Sequence, residues 1–473
     1  MSTLRILGIA ICFNICTAAA QQGFVYEDVA DDTTEYVSSM VELSTGGYLA
    51  TIRKITAEET HCKLVKLTEN GTVTQSVKLA GNSRLLINAV TETEAGILLF
   101  GTSGNDITGN FVSILLDYDL AVIEQHDILL GSFEQSGVYV TSLDSFLLIS
   151  GTVLEGTHFR SFLVKTALNG EVLDFNPLFV DDLISNGVFR KSDQRFLFFG
   201  YKGKRYEATA ELDLASGVDQ TPYGLWMEGG MAWANDSTML IVGKRLNNLF
   251  EPPYDQTQNI GIGVLDQNWN KKNLYQIGLP ADTIDFPAFN TPISLSNSGQ
   301  IFVGGNANNL IGYWLYGNRP SWYVLAKLHP DNFSPAWVKY YGGDAYYSMF
   351  GILATADGGC LMYGAQYTKQ GQADADAYIL KVGADGTTKV AEPGGQEIKS
   401  KIEVFPNPVS NHLSISSDQQ PFQFYLFDVS GRVVKCIASG TGELDVDVSD
   451  LPAAAYFYKV IAKEVLTGLL LKQ

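Results

Sequence analysis

The sequence of 473 residues has few charged side chains, few histidines and little proline, and these shortages exclude several classes of protein. Charged residues make up 18% of the chain and hydrophobic residues 46%, a balance that excludes wholesale disorder. Lysine and arginine number 32 against 51 acidic residues, and a net charge of −19 disfavours a nucleic-acid partner. The 5 histidines and the missing Gly-x-Ser-x-Gly and His-Glu-x-x-His motifs leave no residue to assign to catalysis, and we expect no cofactor.

Long hydrophobic runs and paired cysteines are also scarce. No segment beyond the N-terminus is long and apolar enough to predict a transmembrane helix. Three cysteines lie beyond the first 20 residues, and they form no CxxC pair and have no histidine at ligand spacing. This pattern excludes a zinc site and a disulfide-rich scaffold. The three are Cys62, Cys360 and Cys436.

Residues 1–20 have the pattern of a secretory signal peptide. Arg5 is followed by a short apolar run over residues 6–15, and Ala18-Ala19-Ala20 supplies the small residues of a cleavage site. The alternative of a membrane anchor is disfavoured because the run is too short to span a bilayer. We therefore expect a secreted or cell-surface protein whose mature chain begins at Gln21.

What the sequence does contain is a repeat of about fifty residues, marked by a short apolar run that usually ends in glycine. A turn signal follows most copies, for example Asn70-Gly71, Asn169-Gly170, Ser216-Gly217 and Asp385-Gly386, because these residues tolerate positive φ. The apolar runs lie at residues 48–52, 97–101, 146–151, 196–200, 239–243, 301–305 and 360–364.

Each repeat is consistent with four short antiparallel strands, and a sheet with two apolar faces must pack between neighbours. We therefore predict an all-β fold in which residues 21–392 form a seven-bladed β-propeller; two β-sandwiches, the alternative, would not repeat at one period. In the last unit residues 387–390 are the expected fourth strand, and Phe24-Val25-Tyr26 is a candidate outer strand. A disulfide between Cys62 and Cys360 across the closing seam is an alternative to two buried thiols.

The candidate binding surface is the face that carries the long loops between second and third strands. In units five to seven these loops contain clustered aromatic residues, which suit a glycan or a protein ligand. The alternative is that the aromatic side chains only pack the loops onto the rim. The candidate ligand-binding residues are Phe250, Tyr254, Tyr313, Trp314, Tyr316 and Tyr367.

Without a catalytic signature, the propeller is expected to be a non-enzymatic module that binds a glycan or a protein. A glycoside hydrolase or lyase that uses carboxylates near the pore is one alternative, and Glu251, Asp255 and Asp374 lie on the candidate face. A structural surface protein is another. Asp374-Ala375-Asp376 lacks the fuller run of oxygen ligands found in calcium loops, so no metal site is expected.

A second module follows a linker over residues 393–401. Residues 402–473 show short strands with period-two alternation, which predicts a small antiparallel, Ig-like β-sandwich. Three ordered motifs mark it, together with Tyr456 and a Leu-Lys ending at Lys472. The motifs are Phe405-Pro406-Asn407-Pro408, the turn with Asp428, Gly431 and Arg432, and Asp447-Val448-Ser449-Asp450-Leu451.

These motifs resemble the type A C-terminal sorting domain of the type IX secretion system of Bacteroidota. The family usually has glycine two residues before the tyrosine, where this chain has Ala454. The resemblance implies that the protein crosses the inner membrane by a signal peptide and is then carried through the outer membrane. The translocon would be the partner of the sorting domain. The resemblance implies nothing about the task of the exported passenger.

Overall fold

The computed structural model describes residues 23–28, 33–56, 59–79, 84–104, 109–131, 135–155, 158–178, 187–199, 204–218, 225–246, 258–278, 284–309, 321–367, 375–388, 402–417, 422–428, 432–439, 442–461 and 465–473. The chain divides into two compact units, Met1–Ala391 and Glu392–Gln473. In the described residues the regular structure is β-strand without helix, which confirms the all-β prediction. Within the described part of the chain there is accordingly no helix that could span a membrane.

The first unit is a succession of short strands joined by tight turns. Its first half contains β1 (Phe24–Asp28), β2 (Thr34–Glu42), β3 (Tyr48–Ile55), β4 (Thr60–Leu67), β5 (Val73–Lys78), β6 (Arg84–Thr93), β7 (Gly96–Gly104), β8 (Gly109–Leu116), β9 (Val122–Gly131), β10 (Gln135–Ser142), β11 (Leu147–Glu155), β12 (His158–Thr166) and β13 (Val172–Leu178). Its second half contains β14 (Val188–Arg190), β15 (Arg195–Phe199), β16 (Arg205–Ala208), β17 (Leu214–Val218), β18 (Leu225–Asn235), β19 (Thr238–Leu246), β20 (Gln258–Asp266), β21 (Lys271–Ile277), β22 (Phe286–Pro287), β23 (Ile293–Leu295), β24 (Ile301–Ala307), β25 (Trp322–Leu328), β26 (Pro335–Gly342), β27 (Tyr346–Ala354), β28 (Cys360–Tyr367) and β29 (Asp376–Val382).

These strands form seven antiparallel sheets in the described residues, which we number 1 to 7 in chain order. Sheets 1 to 5 each contain four consecutive strands, from β2–β5 to β18–β21; sheet 6 contains β22–β26 and sheet 7 contains β27–β29. The fourth strand of sheet 7 is β1, which pairs with β29 from Phe24 opposite Lys381 to Asp28 opposite Ala377. The expected fourth strand at residues 387–390 is wrong in its described part, because residues 387–388 are not in a strand.

The recurrent apolar run lies in β3, β7, β11, β15, β19, β24 and β28, and these strands are buried on both faces. In β7 the side chains of Ile97, Leu98, Leu99 and Phe100 are all fully buried, although successive side chains of a strand point to opposite faces. A continuous run, rather than an alternating one, therefore follows from a sheet that is covered on both sides.

A turn of the same backbone form follows β4, β8, β12, β16, β20, β25 and β29, one in each of the seven described sheets. Its fourth residue, or its fifth in sheet 6, has positive φ and donates its N–H to the first residue of the turn. The fourth turn is formed by Thr209 to Leu212, so the prediction of Ser216-Gly217 is wrong: these residues lie within β17. The positive-φ residues are Gly71, Leu120, Gly170, Leu212, Trp269, Phe333 and Gly386.

A side chain of each sheet contacts the positive-φ turn of the next sheet. A side chain in sheets 1 to 6 donates to a backbone carbonyl of that turn, and in sheet 7 the ring of Phe24 packs against Gly71 of sheet 1. The six hydrogen bonds run from Lys66 to Tyr118, Thr93 to Leu168, Asn176 to Leu212, Arg190 to Gln267, Tyr275 to Asn332 and Lys327 to Ala384.

Buried apolar clusters join the sheets in the same cyclic order. Each cluster contains side chains from two successive sheets, and a seventh joins sheet 7 to sheet 1 through residues such as Ile379 and Val65. Cys62 lies between sheets 1 and 2, and Cys360 lies between sheets 6 and 7, on the sides away from the seam. Both thiols are free and buried, so the alternative of a disulfide between them is wrong.

The second unit has two sheets around one core. Its strands are β30 (Ile402–Phe405), β31 (His412–Ser417), β32 (Phe422–Phe427), β33 (Val433–Ser439), β34 (Glu443–Asp447), β35 (Ala455–Ile461) and β36 (Val465–Leu471). One sheet has the order β30-β31-β34 and the other has the order β33-β32-β35-β36. Leu413 and Ile415 of the first sheet pack against Phe424 and Val460 of the second in the shared apolar core.

Candidate functional site

Residues from five sheets surround a cavity of about 170 Å³, which we call the inner cavity. A water molecule takes up about 30 Å³ of the liquid, so the cavity has room for several waters or one small ligand. The lining residues come from sheets 1, 2, 3, 6 and 7 and are Ser39, Met40, Asn88, Ala89, Val90, Val138, Tyr139, Val140, Asn290, Thr291, Ser294, Ile352, Leu353 and Tyr363.

Bulges in the first strands of sheets 1, 2 and 7 shape the wall of this cavity. The pairing register shifts in β2, β6 and β27, and it leaves Ser38, Asn88 and Phe350 without a partner in the ladder. A bulge re-aims a side chain that would otherwise point to one face of the sheet. Asn88 accordingly lines the cavity instead of joining the apolar layers between sheets.

The phenol of Tyr363 lies at the wall of the cavity. Burial raises the pKa of Tyr363 to about 12, and the hydroxyl groups of Thr291 and Ser39 oppose this shift. The Ser39 hydroxyl also accepts the backbone N–H of Val90 at 3.2 Å, which ties sheet 2 to sheet 1. At neutral pH Tyr363 therefore keeps its proton and remains a hydrogen-bond donor.

Amide and hydroxyl groups complete the polar part of the wall. Asn290 donates its Nδ2 to the carbonyl of Ser38 at 3.1 Å, and the Ser294 hydroxyl accepts the Ala354 N–H at 2.9 Å. The Oδ1 of Asn88 is buried and has no hydrogen-bond partner within the described residues. Buried polar atoms are nearly always paired, so this oxygen is a free acceptor for a water or a ligand.

No acid, lysine, arginine or histidine is among the described residues that line the inner cavity. A charged ligand group placed there would lose its hydration without gaining a counter-ion. The geometry therefore suits an uncharged ligand that both donates and accepts hydrogen bonds.

Partly exposed aromatic side chains lie beside this cavity, and we call Tyr36, Phe289, Tyr346, Phe350 and Tyr367 the aromatic patch. Tyr36 stacks on Phe350 with ring centroids 4.4 Å apart, and Phe289 lies 5.5 Å from Phe350. Tyr346 meets Tyr367 edge-on at 5.6 Å. Burial raises the pKa of Tyr367 to about 12, with a smaller contribution from nearby Tyr36.

Two contacts support the position of the patch. The backbone N–H of Asn290 in the cavity wall donates to the Phe350 carbonyl at 2.7 Å, so the main chain of the patch lies against the cavity wall. On the other side of the stack the guanidinium carbon of Arg53 lies 5.1 Å from the centre of the Tyr36 ring. Such a cation–π contact holds the ring orientation and places a positive charge beside the patch.

One of the predicted ligand-binding residues, Tyr367, belongs to the aromatic patch. The other five, Phe250, Tyr254, Tyr313, Trp314 and Tyr316, lie outside the described residues. No sequence motif marks Tyr36, Phe289, Phe350 or the residues that line the cavity. The available signal was a single polar residue, Asn88, within the otherwise apolar segment at residues 85–90.

No described acidic residue lines the inner cavity. Glu251, Asp255 and Asp374 lie outside the described residues. Glu35 is fully buried where sheet 7 meets sheet 1, and burial raises its pKa although its ion pair with Lys54 opposes the shift. Among the described residues no three His, Cys, Asp or Glu side chains are grouped so that they could hold a metal ion.

In the second unit the two ends of the module are joined, in an arrangement that we call the terminal clasp. Asn407 accepts the Leu471 N–H through its Oδ1 at 2.9 Å. Val409 donates to the Leu471 carbonyl at 2.8 Å and accepts the Gln473 N–H at 2.9 Å. The Lys472 N–H binds the carbonyl of Ala454 at 2.9 Å. Two motifs that are more than sixty residues apart therefore form one structural element.

The remaining signature residues support turns. Asp428 and Arg432 exchange backbone and side-chain hydrogen bonds, including one from Arg432 Nε to the carboxylate at 3.2 Å. The Tyr456 hydroxyl donates to the Pro452 carbonyl at 3.0 Å. Phe405, which precedes Pro406 in the first motif, is 49% exposed. Gly431 lies outside the described residues.

Comparison with solved structures gives a distant likeness only. The crystal structure of the extracellular domain of a hybrid two-component system from B. thetaiotaomicron is 11% identical and has a TM-score of 0.40. The match covers 93% of this chain and 55% of that one, so this chain spans about half the length of its neighbour. A likeness at this level assigns neither the fold nor the function. No curated protein matches the chain.

A family model identifies the second unit. Residues 403–467 match the family described as the secretion system C-terminal sorting domain. This match confirms the prediction drawn from the motifs at Phe405, Asp428 and Tyr456. A domain of this kind implies recognition by the type IX secretion system and export to the cell surface or beyond it. The C-terminal part of this protein is therefore a type IX secretion sorting domain.

Proposed function

We propose that this protein is an exported seven-bladed β-propeller that binds a glycan or a protein without catalysing a reaction. In this proposal residues 1–20 are a signal peptide, 21–392 the propeller, 393–401 a linker and 402–473 the sorting domain. The seven-bladed arrangement is supported by the cyclic order of the apolar clusters and of the contacts from each sheet to the next turn. Radial packing of this kind leaves only short sheet edges exposed.

The observation that carries the binding function is the inner cavity beside the aromatic patch. The cavity offers the Oδ1 of Asn88 as a free acceptor and the protonated phenol of Tyr363 as a donor. Tyr36 and Phe350 supply a stacked pair of rings at its side. These groups bind and orient a ligand, but no lining residue in the described chain is an acid or a base with which to transform it.

The test is a ligand screen of the purified mature protein, on a glycan array and by protein pull-down, in parallel with assays for carbohydrate cleavage. We expect saturable binding to at least one ligand and no cleavage of it. If carbohydrate is cleaved and no ligand is retained, the protein is a glycosidase or lyase and the proposal is wrong. Strong self-association with no external ligand would instead support a structural surface protein.

The export route has its own test. Deletion of residues 404–473 removes both ends of the terminal clasp, so we expect the shortened protein to accumulate in the periplasm of its natural host. The intact chain and a resident periplasmic protein serve as controls for export and for leakage. Undiminished appearance of the shortened protein outside the cell would contradict the proposal.

A further inference from the structure

The wall of the inner cavity has two kinds of surface. Asn88, Ser294 and Tyr363 contribute neutral polar groups, and Val140 and Leu353 contribute aliphatic groups. The Ser294 oxygen already accepts a backbone N–H, so its own proton is left to donate. The Asn88 oxygen has no partner within the described residues and is left to accept. A matching ligand must carry donors, acceptors and apolar C–H surface within one small volume.

A sugar ring at the end of a glycan meets this requirement. Its hydroxyl groups both donate and accept around the edge of the ring, and its C–H groups form apolar faces. A peptide segment fits less well, because each residue brings backbone groups that need partners of their own when they are buried. The absence of charged side chains among the described lining residues also disfavours a uronic acid or another anionic sugar within the inner cavity itself.

The aromatic patch extends the site beyond the cavity. Asn290 belongs to the cavity wall and its N–H is bonded to Phe350, whose ring stacks on Tyr36 and lies beside Phe289. Aromatic rings offer large apolar faces at a low cost in conformational entropy. A second sugar unit, linked to one held in the cavity, would therefore meet a ring surface.

We infer that the inner cavity and the aromatic patch form one binding site for the neutral end of a glycan. The inner cavity takes the terminal sugar through Asn88, Ser294 and Tyr363, and the aromatic patch packs against the next sugar through the accessible parts of its rings. This inference rests on the proposed binding function and adds to it the location of the site and the class of ligand.

The experiment uses the full mature chain and isothermal titration with neutral oligosaccharides chosen from an array, each compared with its uronic acid counterpart. Asn88→Leu removes the free acceptor at similar size, and Leu353→Trp fills the cavity. The matched controls are Asn273→Leu in β21 and Leu129→Trp in β9, because Asn273 is exposed and Leu129 is 68% exposed. Circular dichroism and urea unfolding check that each variant is folded.

We expect Asn88→Leu to weaken binding of the neutral oligosaccharide about tenfold or more, and Leu353→Trp to abolish it, with both controls unchanged. The uronic acid counterpart should bind at least about tenfold more weakly than the neutral form. If Leu353→Trp does not fold, Asn88→Leu and the comparison of the two ligands decide the question.

Several results would overturn the inference. Binding that is equal in Asn88→Leu and Asn273→Leu would place the glycan elsewhere on the protein, as would tighter binding of the uronic acid. Failure of every neutral oligosaccharide would also overturn it. In that last case, saturable binding of a purified protein partner would leave the broader proposed function standing, so the two failures are distinguishable.

Discussion

Strand β1 supplies the fourth strand of sheet 7 and also contacts sheet 1. Weakening this contact by substitution of Phe24 should test whether the stability of the first unit depends on the connection between sheets 7 and 1. Phe24 is 5% exposed, its ring lies 6.1 Å from that of Tyr48, and it covers Gly71. Replacement of a buried phenylalanine by alanine costs about 3–5 kcal/mol. The neighbouring Val25 is 40% exposed, and Val25→Ala should cost about 0.5 kcal/mol or less.

The free energy of unfolding is measured by urea titration with tryptophan fluorescence. All 6 tryptophans lie between residues 226 and 337, so the signal reports on the first unit alone. We expect Phe24→Ala to lower this free energy by about 3 kcal/mol, a large share of the roughly 5–15 kcal/mol that stabilises a domain. If Phe24→Ala and Val25→Ala agree within about 0.5 kcal/mol, β1 does not hold sheets 7 and 1 together and the reasoning fails.

Three further predictions concern the turns, the ion pair between exposed Asp357 and buried Lys381, and the sorting domain. Leu212→Gly relieves a positive φ but loses a fully buried side chain, so it should destabilise the protein by about 1–3 kcal/mol. Gln194 also has a positive φ but is exposed, so Gln194→Gly should stabilise the protein by about 0.5 kcal/mol. Equal effects of the two variants in urea titration would refute this prediction. Burial alone would raise the pKa of Asp357, but hydrogen bonds, led by the one from Lys381, lower this pKa overall. The loss of stability caused by Asp357→Asn should therefore be constant near neutral pH and shrink below about pH 4, where the carboxylate takes up a proton. A stability difference between variant and wild type that stays constant down to about pH 2 would contradict this prediction. Asn407→Ala removes the acceptor for Leu471 N–H and should reduce the exported fraction in the culture medium, and unchanged export would show that this bond is dispensable.

Local patterns predicted most of the strands but misplaced some connections. The apolar runs predicted the second strands because burial on both faces leaves a continuous hydrophobic stretch that is visible in the sequence. The fourth turn was misplaced at Ser216-Gly217, because glycine is the usual signal for positive φ. The actual turn uses Leu212, and the burial of its side chain between sheets offsets the backbone strain.

The candidate site was predicted only in part, through Tyr367. Its other residues are scattered along the chain from Tyr36 to Tyr363, and no two neighbouring positions form a motif. A bulge at Asn88 decides that this side chain faces the inner cavity, and the position of a bulge depends on how two strands pair. The sequence pattern alone shows alternation but not register.

The sequence by itself determined the all-β class, the recurrent strands and the sorting domain, because each depends on residues that are close together in the chain. Only the tertiary structure decided that β1 completes sheet 7, that Cys62 and Cys360 face away from each other's sheets, and that five sheets enclose a neutral cavity. These features depend on contacts between residues hundreds of positions apart, and such contacts are set by packing rather than by local pattern.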